Sequence, residues 1–282
     1  MTTVQAAKFL LRPAVRRRFP WRAVQRVGLG AAGIVGVFGA AQLVEWAARV
    51  DQSTFPLPST VAVQAWDLLS DGAFLSAVGS TLAAWGEAMA ITVAIAVPVG
   101  LLLGSLPTVE AALRPVIEFL RPIPAVVIFP LTLLIAQDNG RAEVAVIVFV
   151  SVWPVLVNTV YGLREVDPIA RQTMRSFGFG PLAVAMRVSL PSAAPFMATG
   201  VRVAAGLSFI ATIAVELVAS GINGIGAFAA LSEAGTDNVS VLLAVAFWSG
   251  MLGVAVNAVL TGAERRMFRW HYALTASAQE GA

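Results

Sequence analysis

The sequence predicts an all-α membrane protein with six transmembrane helices. Hydrophobic residues make up 58% of the 282 residues and charged residues only 12%, which is about half the charged fraction of a typical soluble domain. The charged residues cluster between long apolar runs, and a helix needs about 20 mostly apolar residues to cross a bilayer. Six runs meet this requirement: residues 27–48, 81–104, 115–136, 142–163, 197–219 and 239–263.

The distribution of basic residues predicts the orientation. Residues 1–26 contain seven Lys and Arg residues and no acidic residue, and basic residues are enriched in cytoplasmic flanks of membrane helices. With this tail in the cytoplasm, the six spans also place segments 105–114 and 164–196 and the C-terminal tail 264–282 there. Of the 19 basic residues, 17 then lie in or next to cytoplasmic segments. Residues 27–263 form the predicted transmembrane domain.

The composition excludes several kinds of site. The chain has no cysteine, so disulfides and zinc–thiolate centres are excluded. Its one histidine, His271, and its one lysine, Lys8, both lie in the predicted tails. A nucleotide-binding P-loop needs a lysine inside G-x-x-x-x-G-K-[ST], so an ATP-driven activity would need another chain. The basic N-terminal tail is interpreted as a topology signal, and no nucleic-acid partner is expected.

Prolines predict a broken third span. This span contains Pro115, Pro122, Pro124 and Pro130. Proline removes a backbone donor and clashes with the preceding turn, so the helix must bend or break. Irregular backbone inside a membrane is tolerated only where protein or a water-filled cavity surrounds it. The span is therefore either a kinked packing helix or a helix that lines a pathway, with Pro124 and Pro130 as pathway candidates.

The longest predicted cytoplasmic break contains a helix–turn–helix pattern. Asp167 followed by Pro168 is a good helix start, and Ala170, Met174 and Phe177 give this helix an apolar face. Arg171, Gln172 and Arg175 lie on its other side. Gly178 and Gly180 are predicted to adopt left-handed conformations and end the helix. The pattern therefore indicates a polar surface that is offered to a cytoplasmic partner.

A second short helix is predicted after this turn. Pro181 begins it, and Leu182, Met186 and Leu190 lie along one face. Apolar residues would hold it against the membrane. Pro191 and Pro195 are predicted to end it.

These residues resemble a known family. Gly178, then nine residues, then Val188-Ser189-Leu190-Pro191 resembles part of the "EAA" loop of binding-protein-dependent ABC importer permeases. Further matches, in order along residues 55–270, are Phe55-Pro56-Leu57-Pro58-Ser59, Arg121-Pro122-Ile123-Pro124, Asn158-Thr159 with Val166-Asp167-Pro168, and Glu216 with Gly224-Ile225-Gly226. Together they are similar to the nitrate/sulfonate/taurine branch.

The resemblance implies a fold and a set of partners. The fold is the type I importer kind, whose cytoplasmic coupling helix between spans 4 and 5 docks on the ATPase. The implied partners are two ABC ATPase subunits, which bind ATP and magnesium, a second copy of this permease or a related permease chain, and an extracytoplasmic solute-binding protein. The chain itself is expected to need no cofactor. The implied location is a prokaryotic cytoplasmic membrane with both termini inside.

The resemblance also implies the coupling residues and the substrate class. The coupling residues are Asp167, Arg171, Gln172, Arg175, Gly178, Leu190 and Pro191. Where the family has Glu-Ala-Ala, this chain has Gln172-Thr173-Met174, which leaves room for a second, different permease chain that keeps the family pattern. The implied cargo is a nitrate-, sulfonate- or taurine-like solute or a related small organic compound, imported with ATP energy.

Charged residues inside predicted spans raise functional hypotheses because a charge in the membrane is costly. Glu216 and Glu87 are the candidates for a translocation pathway or gate, and a structural role remains the alternative for each. Glu45 and Arg49, one turn apart near the outer surface, are expected either to pair or to snorkel to the membrane surface. Glu118 and Arg121 lie at i, i+3 and are placed to pair.

Two other function classes fit the composition less well. A secondary carrier, which works without ATP, often has broken helices at matching positions in its two halves, and the sequence predicts one broken span. An intramembrane enzyme needs a nucleophile–base pair or a metal site, and the residue types for either are scarce here. Neither class explains the helix–turn–helix pattern.

Overall fold

A computed structural model of the chain describes residues 56–219, 221–232 and 238–269, and the single positions 29, 33, 36, 39, 40 and 42. The chain divides into two units, Met1–Ser59 and Thr60–Ala282. In the first unit the six single positions are helical. The rest of the predicted span 27–48, the basic tail, and Glu45 and Arg49 lie outside the described residues.

From Pro58 onward, the described residues form helices joined by short connections. The helices are α1 (Pro58–Leu68), α2 (Gly72–Ser105), α3 (Pro107–Leu120), α4 (Ala125–Ala136), α5 (Asn139–Arg164), α6 (Pro168–Ser176), α7 (Pro181–Val218), α8 (Ile225–Ser232) and α9 (Asn238–Met267). Four of them, α2, α5, α7 and α9, are long and apolar enough to cross a membrane. The all-α prediction is confirmed.

The predicted break in the third span is confirmed. Helices α3 and α4 meet at an angle of 102° across the residues between Leu120 and Ala125. Pro122 and Pro124 lie in this connection, and Pro124 takes the extended position before α4. Counted as one bent span, the pair brings the number of candidate spans in the described residues to five.

The second span begins earlier than predicted. Helix α2 begins at Gly72, because the Asp71 side chain accepts a 2.8 Å hydrogen bond from the backbone N–H of Ala73 and caps the helix. The preceding helix α1 begins at Pro58 and buries Ala65 and Leu68, whose spacing places them on one face. Near the same end of the unit, the Trp248 indole N–H of α9 donates to the Ala65 carbonyl at 2.8 Å.

Small residues allow α2, α5 and α7 to pack closely. A Cβ added at Gly100 of α2 would lie 2.7 Å from Cβ of Thr159 on α5. A Cβ added at Gly200 of α7 would lie 2.7 Å from Cβ of Asn158. Membrane helices associate mainly through such close van der Waals contact. The core between these helices contains Met89, Ala96, Leu103, Val155, Leu156, Val160, Ala204 and Ala205.

The prediction that Pro191 and Pro195 end a short second helix is wrong. Helix α7 runs continuously from Pro181 to Val218, over 38 residues. A π-helical turn at Ala185–Ser189 directly precedes Pro191. Because a π-turn widens the helix by one residue, it gives space to a proline ring that would otherwise clash with the preceding turn. The segment after the glycine turn is therefore the first part of the fifth span.

Candidate functional site

The helix predicted at Asp167-Pro168 forms as α6. The Asp167 side chain accepts a 2.8 Å hydrogen bond from the backbone N–H of Ile169 and caps the helix. Pro168 occupies the first turn, where its missing N–H costs nothing. No residue of α6 is buried.

A glycine turn joins α6 to α7. Gly178 has a φ of +81°, the left-handed conformation predicted for it. The turn is held by hydrogen bonds from the Gly178 N–H to the Arg175 carbonyl at 2.9 Å and from the Phe179 N–H to the Met174 carbonyl at 3.2 Å. Gly180 differs from the prediction: it is extended, with φ −68° and ψ 166°, and precedes the first turn of α7. One left-handed residue is enough to reverse the chain here.

The two arginines of α6 have different environments. The guanidinium of Arg171 donates to the backbone carbonyl of Leu163, in the last turn of α5. This side chain satisfies a carbonyl at a helix C-terminus and fastens α6 to α5; its predicted role in coupling to a partner stays a prediction. Arg175 and Gln172 are exposed.

We call residues 167–191 the interface loop. It exposes large apolar side chains beside its polar ones: Ile169, Phe177, Leu182 and Met186 are between 59% and 76% exposed. The guanidinium of Arg187 lies 5.2 Å from the ring centre of Phe179, a cation–π contact that stiffens the loop. Leu190 is half-buried and Pro191 is exposed. The loop therefore presents a mixed apolar and basic surface.

Glu216 is fully buried at the other end of the second unit. Its Oε2 accepts hydrogen bonds from the Thr81 hydroxyl at 3.0 Å and from the Gly226 N–H at 2.9 Å. The Thr81 oxygen in turn accepts from the Ile225 N–H at 2.9 Å. A Cβ added at Gly224 would lie 2.1 Å from the carboxyl carbon of Glu216. One carboxyl group thus joins α7, α2 and the N-terminus of α8.

Sequence analysis missed a second buried carboxyl group. Glu143 on α5 is 3% exposed, and its Oε1, like Oε1 of Glu216, is buried without a hydrogen-bond partner among the described residues. The available signal was an acidic residue two positions after Arg141, inside an otherwise apolar run.

A cavity of about 710 Å³ opens beside this cluster. Glu87 lines it together with Asp138, Arg141 and Glu143, and Glu87 is exposed to it. The position of the charged Glu87 side chain at a cavity is compatible with a role in a translocation pathway. A pathway role remains a prediction for Glu87, and equally for Glu216, Pro124 and Pro130.

One charge pair differs from the expectation, and another had not been predicted. Glu118 pairs at 3.0 Å with Arg114, four residues earlier on α3, rather than with Arg121. Arg202 pairs at 2.9 Å with Glu264 of α9, a partner that lies beyond the predicted end of the sixth span. Glu264 is 7% exposed, so this pair joins α7 to α9 inside the structure.

The long apolar helices and the exposed loop define a multi-pass helical membrane protein. Residues 96–269, more than half of the chain, match the family described as "Binding-protein-dependent transport system inner membrane component". The chain therefore belongs to this family, as the resemblance implied.

Curated relatives agree. The chain is 33% identical over 202 residues to the bicarbonate transport system permease protein CmpB of Synechococcus elongatus, which covers 71% of this chain and 72% of that protein. It is 32% identical over 181 residues to CmpB of Synechocystis, where the match covers 63% of this chain and 64% of the relative. It is 29% identical over 214 residues to the nitrate import permease protein NrtB of Leptolyngbya laminosa, covering 72% and 75% of the two chains. These relatives confirm the resemblance to the nitrate branch.

A solved structure has the same fold. An amino acid ABC transporter crystallised with histidines superimposes with a TM-score of 0.59, at 20% identity, over 69% of this chain and 94% of that chain. The fold is therefore shared with a chain of that transporter although most residues differ.

Proposed function

We propose that the chain is the transmembrane permease subunit of an ATP-driven importer and that the interface loop transmits the motion of an ATPase. The observation that carries this proposal is the attachment of α6 at both ends. Arg171 ties it to the end of α5, and the hydrogen-bonded glycine turn leads directly into the 38-residue helix α7. A displacement of α6 would therefore move two spanning helices together, as a rigid-body transition requires.

The surface chemistry of the loop supports a protein partner. The loop exposes three large apolar side chains, those of Phe177, Leu182 and Met186, whose contact with water is unfavourable. The exposed Arg175 belongs to the same loop. Aromatic and Met side chains with arginine are the residue types enriched in protein interfaces. Such a surface fits a groove with apolar walls and an acidic rim.

The partners in this proposal come from the family resemblance. The chain's one lysine, Lys8, does not stand in a P-loop sequence, so ATP and magnesium would be bound by two separate ATPase subunits. A second permease chain, identical or related, would complete the pathway, and an extracytoplasmic binding protein would deliver the solute. In this arrangement the interface loop and both chain termini face the cytoplasm, and the chain needs no cofactor of its own.

The proposed cargo is a small oxyanion or a similar small solute. Relatives named for bicarbonate and nitrate support this class. The carrier alternative has no support of this kind, and within the described residues there is a single bent helix pair rather than two.

Site-directed crosslinking tests the proposal, because the chain has no native cysteine. Ser176→Cys at the end of α6, labelled with a photoactivatable thiol reagent in native membranes, should crosslink to a P-loop ATPase identified by mass spectrometry. Ser70→Cys, exposed at the opposite end of the second unit, is the matched control and should not. An ATPase captured equally by both variants, or by neither, would contradict the proposed role of the loop.

A further inference from the structure

A cavity of about 480 Å³ lies between the interface loop and the ends of the neighbouring helices. Leu101 and Ser105 line it from the C-terminal end of α2, and Leu163 lines it from the last turn of α5. Both α2 and α5 are long and apolar enough to cross a membrane, and both end here. The cavity therefore lies at the boundary between the membrane and water.

Both arginines of α6 line this cavity, and no carboxylate accompanies them. Arg171 and Arg175 are among the lining residues, whereas none of the described lining residues is Asp or Glu. Neither arginine forms a salt bridge within the part of the chain that the structure describes. Like charges four residues apart on one helix repel each other. An anion bound at both arginines would replace this repulsion with attraction.

The guanidinium of Arg171 has donors that the fold does not use. One terminal nitrogen donates to the Leu163 carbonyl, but Nε is buried and has no acceptor among the described residues. Buried polar atoms without a partner are rare in native proteins. A guanidinium carries five N–H donors in a planar fork that matches the oxygens of a phosphate group. A phosphate held against Arg171 would therefore supply acceptors that this side chain lacks.

The N-terminus of α3 adds positive potential to the same cavity. Pro107, the first residue of α3, lines the cavity, and this helix end has no side-chain cap. Unpaired N–H groups at a helix N-terminus carry a partial positive charge and attract anions. The first turn of α3 contains one acidic residue, Glu110, but its carboxylate is paired with Arg164 and does not line this cavity.

The remaining wall of the cavity is mostly apolar. Leu101, Leu163, Val184 and Leu190 line it together with the two arginines. A free phosphate ion would gain nothing from these side chains, whereas the first acyl carbons of a lipid would bury apolar surface against them. Basic pockets between membrane helices near the membrane surface suit anionic lipid head groups. The lining therefore favours the phosphate of a lipid over a free phosphate ion.

We propose that this cavity binds the phosphate group of an anionic membrane phospholipid, with Arg171 and Arg175 as the charged donors. The inference is independent of the proposed transport function, because it rests on the lining of the cavity and not on an ATPase. A lipid bound here contacts the ends of α2 and α5 and the inner side of α6, and so holds the interface loop against the membrane.

Native mass spectrometry of the full-length chain, purified and delipidated in detergent, tests the proposal. On titration with phosphatidylglycerol, the wild type should bind a first lipid more tightly than any later one. Arg171→Gln and Arg175→Gln should each weaken this first binding step about five-fold. Arg266→Gln is the matched control, because it removes an exposed arginine at the end of α9, outside the cavity. This control should bind the lipid as the wild type does.

The two cavity variants distinguish lost binding from a disturbed loop. Arg171→Gln also removes the hydrogen bond to Leu163, but the exposed side chain of Arg175 has no described hydrogen bond or ion pair to lose. A loss of binding confined to Arg171→Gln would therefore overturn the proposal. Equal losses in the two cavity variants and in Arg266→Gln would also overturn it, because they would indicate general attraction between lipid and basic residues.

Two further ligands identify which part of the lipid is recognised. Diacylglycerol, which has the acyl chains without the phosphate, should not occupy the tight site. Inorganic phosphate at millimolar concentration should not displace phosphatidylglycerol, because it cannot use the apolar wall. Diacylglycerol that binds as tightly as phosphatidylglycerol would overturn the phosphate assignment. Displacement by inorganic phosphate would overturn the lipid assignment and make the cavity a site for a soluble phosphate.

Discussion

Replacing Gly178 with valine should disable the interface loop while leaving the rest of the fold intact. Gly178 has a φ of +81°, and a Cβ built there has no atom within 4 Å. The penalty is therefore backbone strain alone, on the order of 1–3 kcal/mol for a non-glycine residue held in this region. If the loop must keep this conformation to bind, affinity for the ATPase falls roughly 5- to 150-fold, since about 1.4 kcal/mol corresponds to a factor of ten.

The assay is a binding titration of the detergent-solubilised chain against the ATPase, with solute-stimulated ATP hydrolysis measured on the same samples. Gly178→Asn is the first control because asparagine tolerates the left-handed conformation, and it should retain most of the affinity. Gly180→Ala is the second, since Gly180 has an ordinary φ of −68° and open space around it. Wild-type affinity and hydrolysis in Gly178→Val would refute the argument that this turn sets the loop's position.

Three further substitutions test the helix contacts, each measured as the thermal midpoint in detergent. Gly200→Ala should lower the thermal midpoint, because overpacking between α5 and α7 costs about 1–3 kcal/mol. Gly206→Ala should not lower it, since a Cβ added at Gly206 has no atom within 4 Å. Equal effects of the two substitutions would contradict the packing argument. Arg202→Gln should destabilise because it removes the guanidinium charge that pairs with the buried Glu264 carboxylate at 2.9 Å. Adding Glu264→Gln should recover part of the loss; an additive double variant would mean that the pair is not coupled. Thr81→Val should lower the stability by about 1–3 kcal/mol because it removes two buried hydrogen bonds. Thr81→Ser keeps the hydroxyl group and should be close to the wild type in stability. Similar losses of stability in both variants would assign the effect to the methyl group.

Features set by neighbouring residues could be predicted from the sequence. The bend between α3 and α4 follows from Pro122 and Pro124, two prolines within three residues, each of which removes a backbone donor and clashes with the preceding turn. The start of α6 follows from Asp167-Pro168, and the left-handed turn from Gly178. In each case the physical cause lies within a few residues of the feature, so it is visible in the sequence.

Features set by distant residues could not be predicted. The burial of Glu143 and the pairing of Arg202 with Glu264 depend on which helices pack together and in what rotation. The sequence of one helix does not contain that information. The error at Pro191 has a related origin: a π-turn one residue earlier accommodates the proline, and no simple residue pattern predicts such a turn.

The central claim is that this chain works with a separate ATPase that docks on the interface loop. The most direct test is purification of the chain from its native host in a gentle detergent, with every co-purifying protein identified and quantified by mass spectrometry. The account predicts a P-loop ATPase in stoichiometric amount, lost on substitution of Gly178 by valine. A chain that purifies alone, and still moves solute across vesicles without ATP, would contradict it.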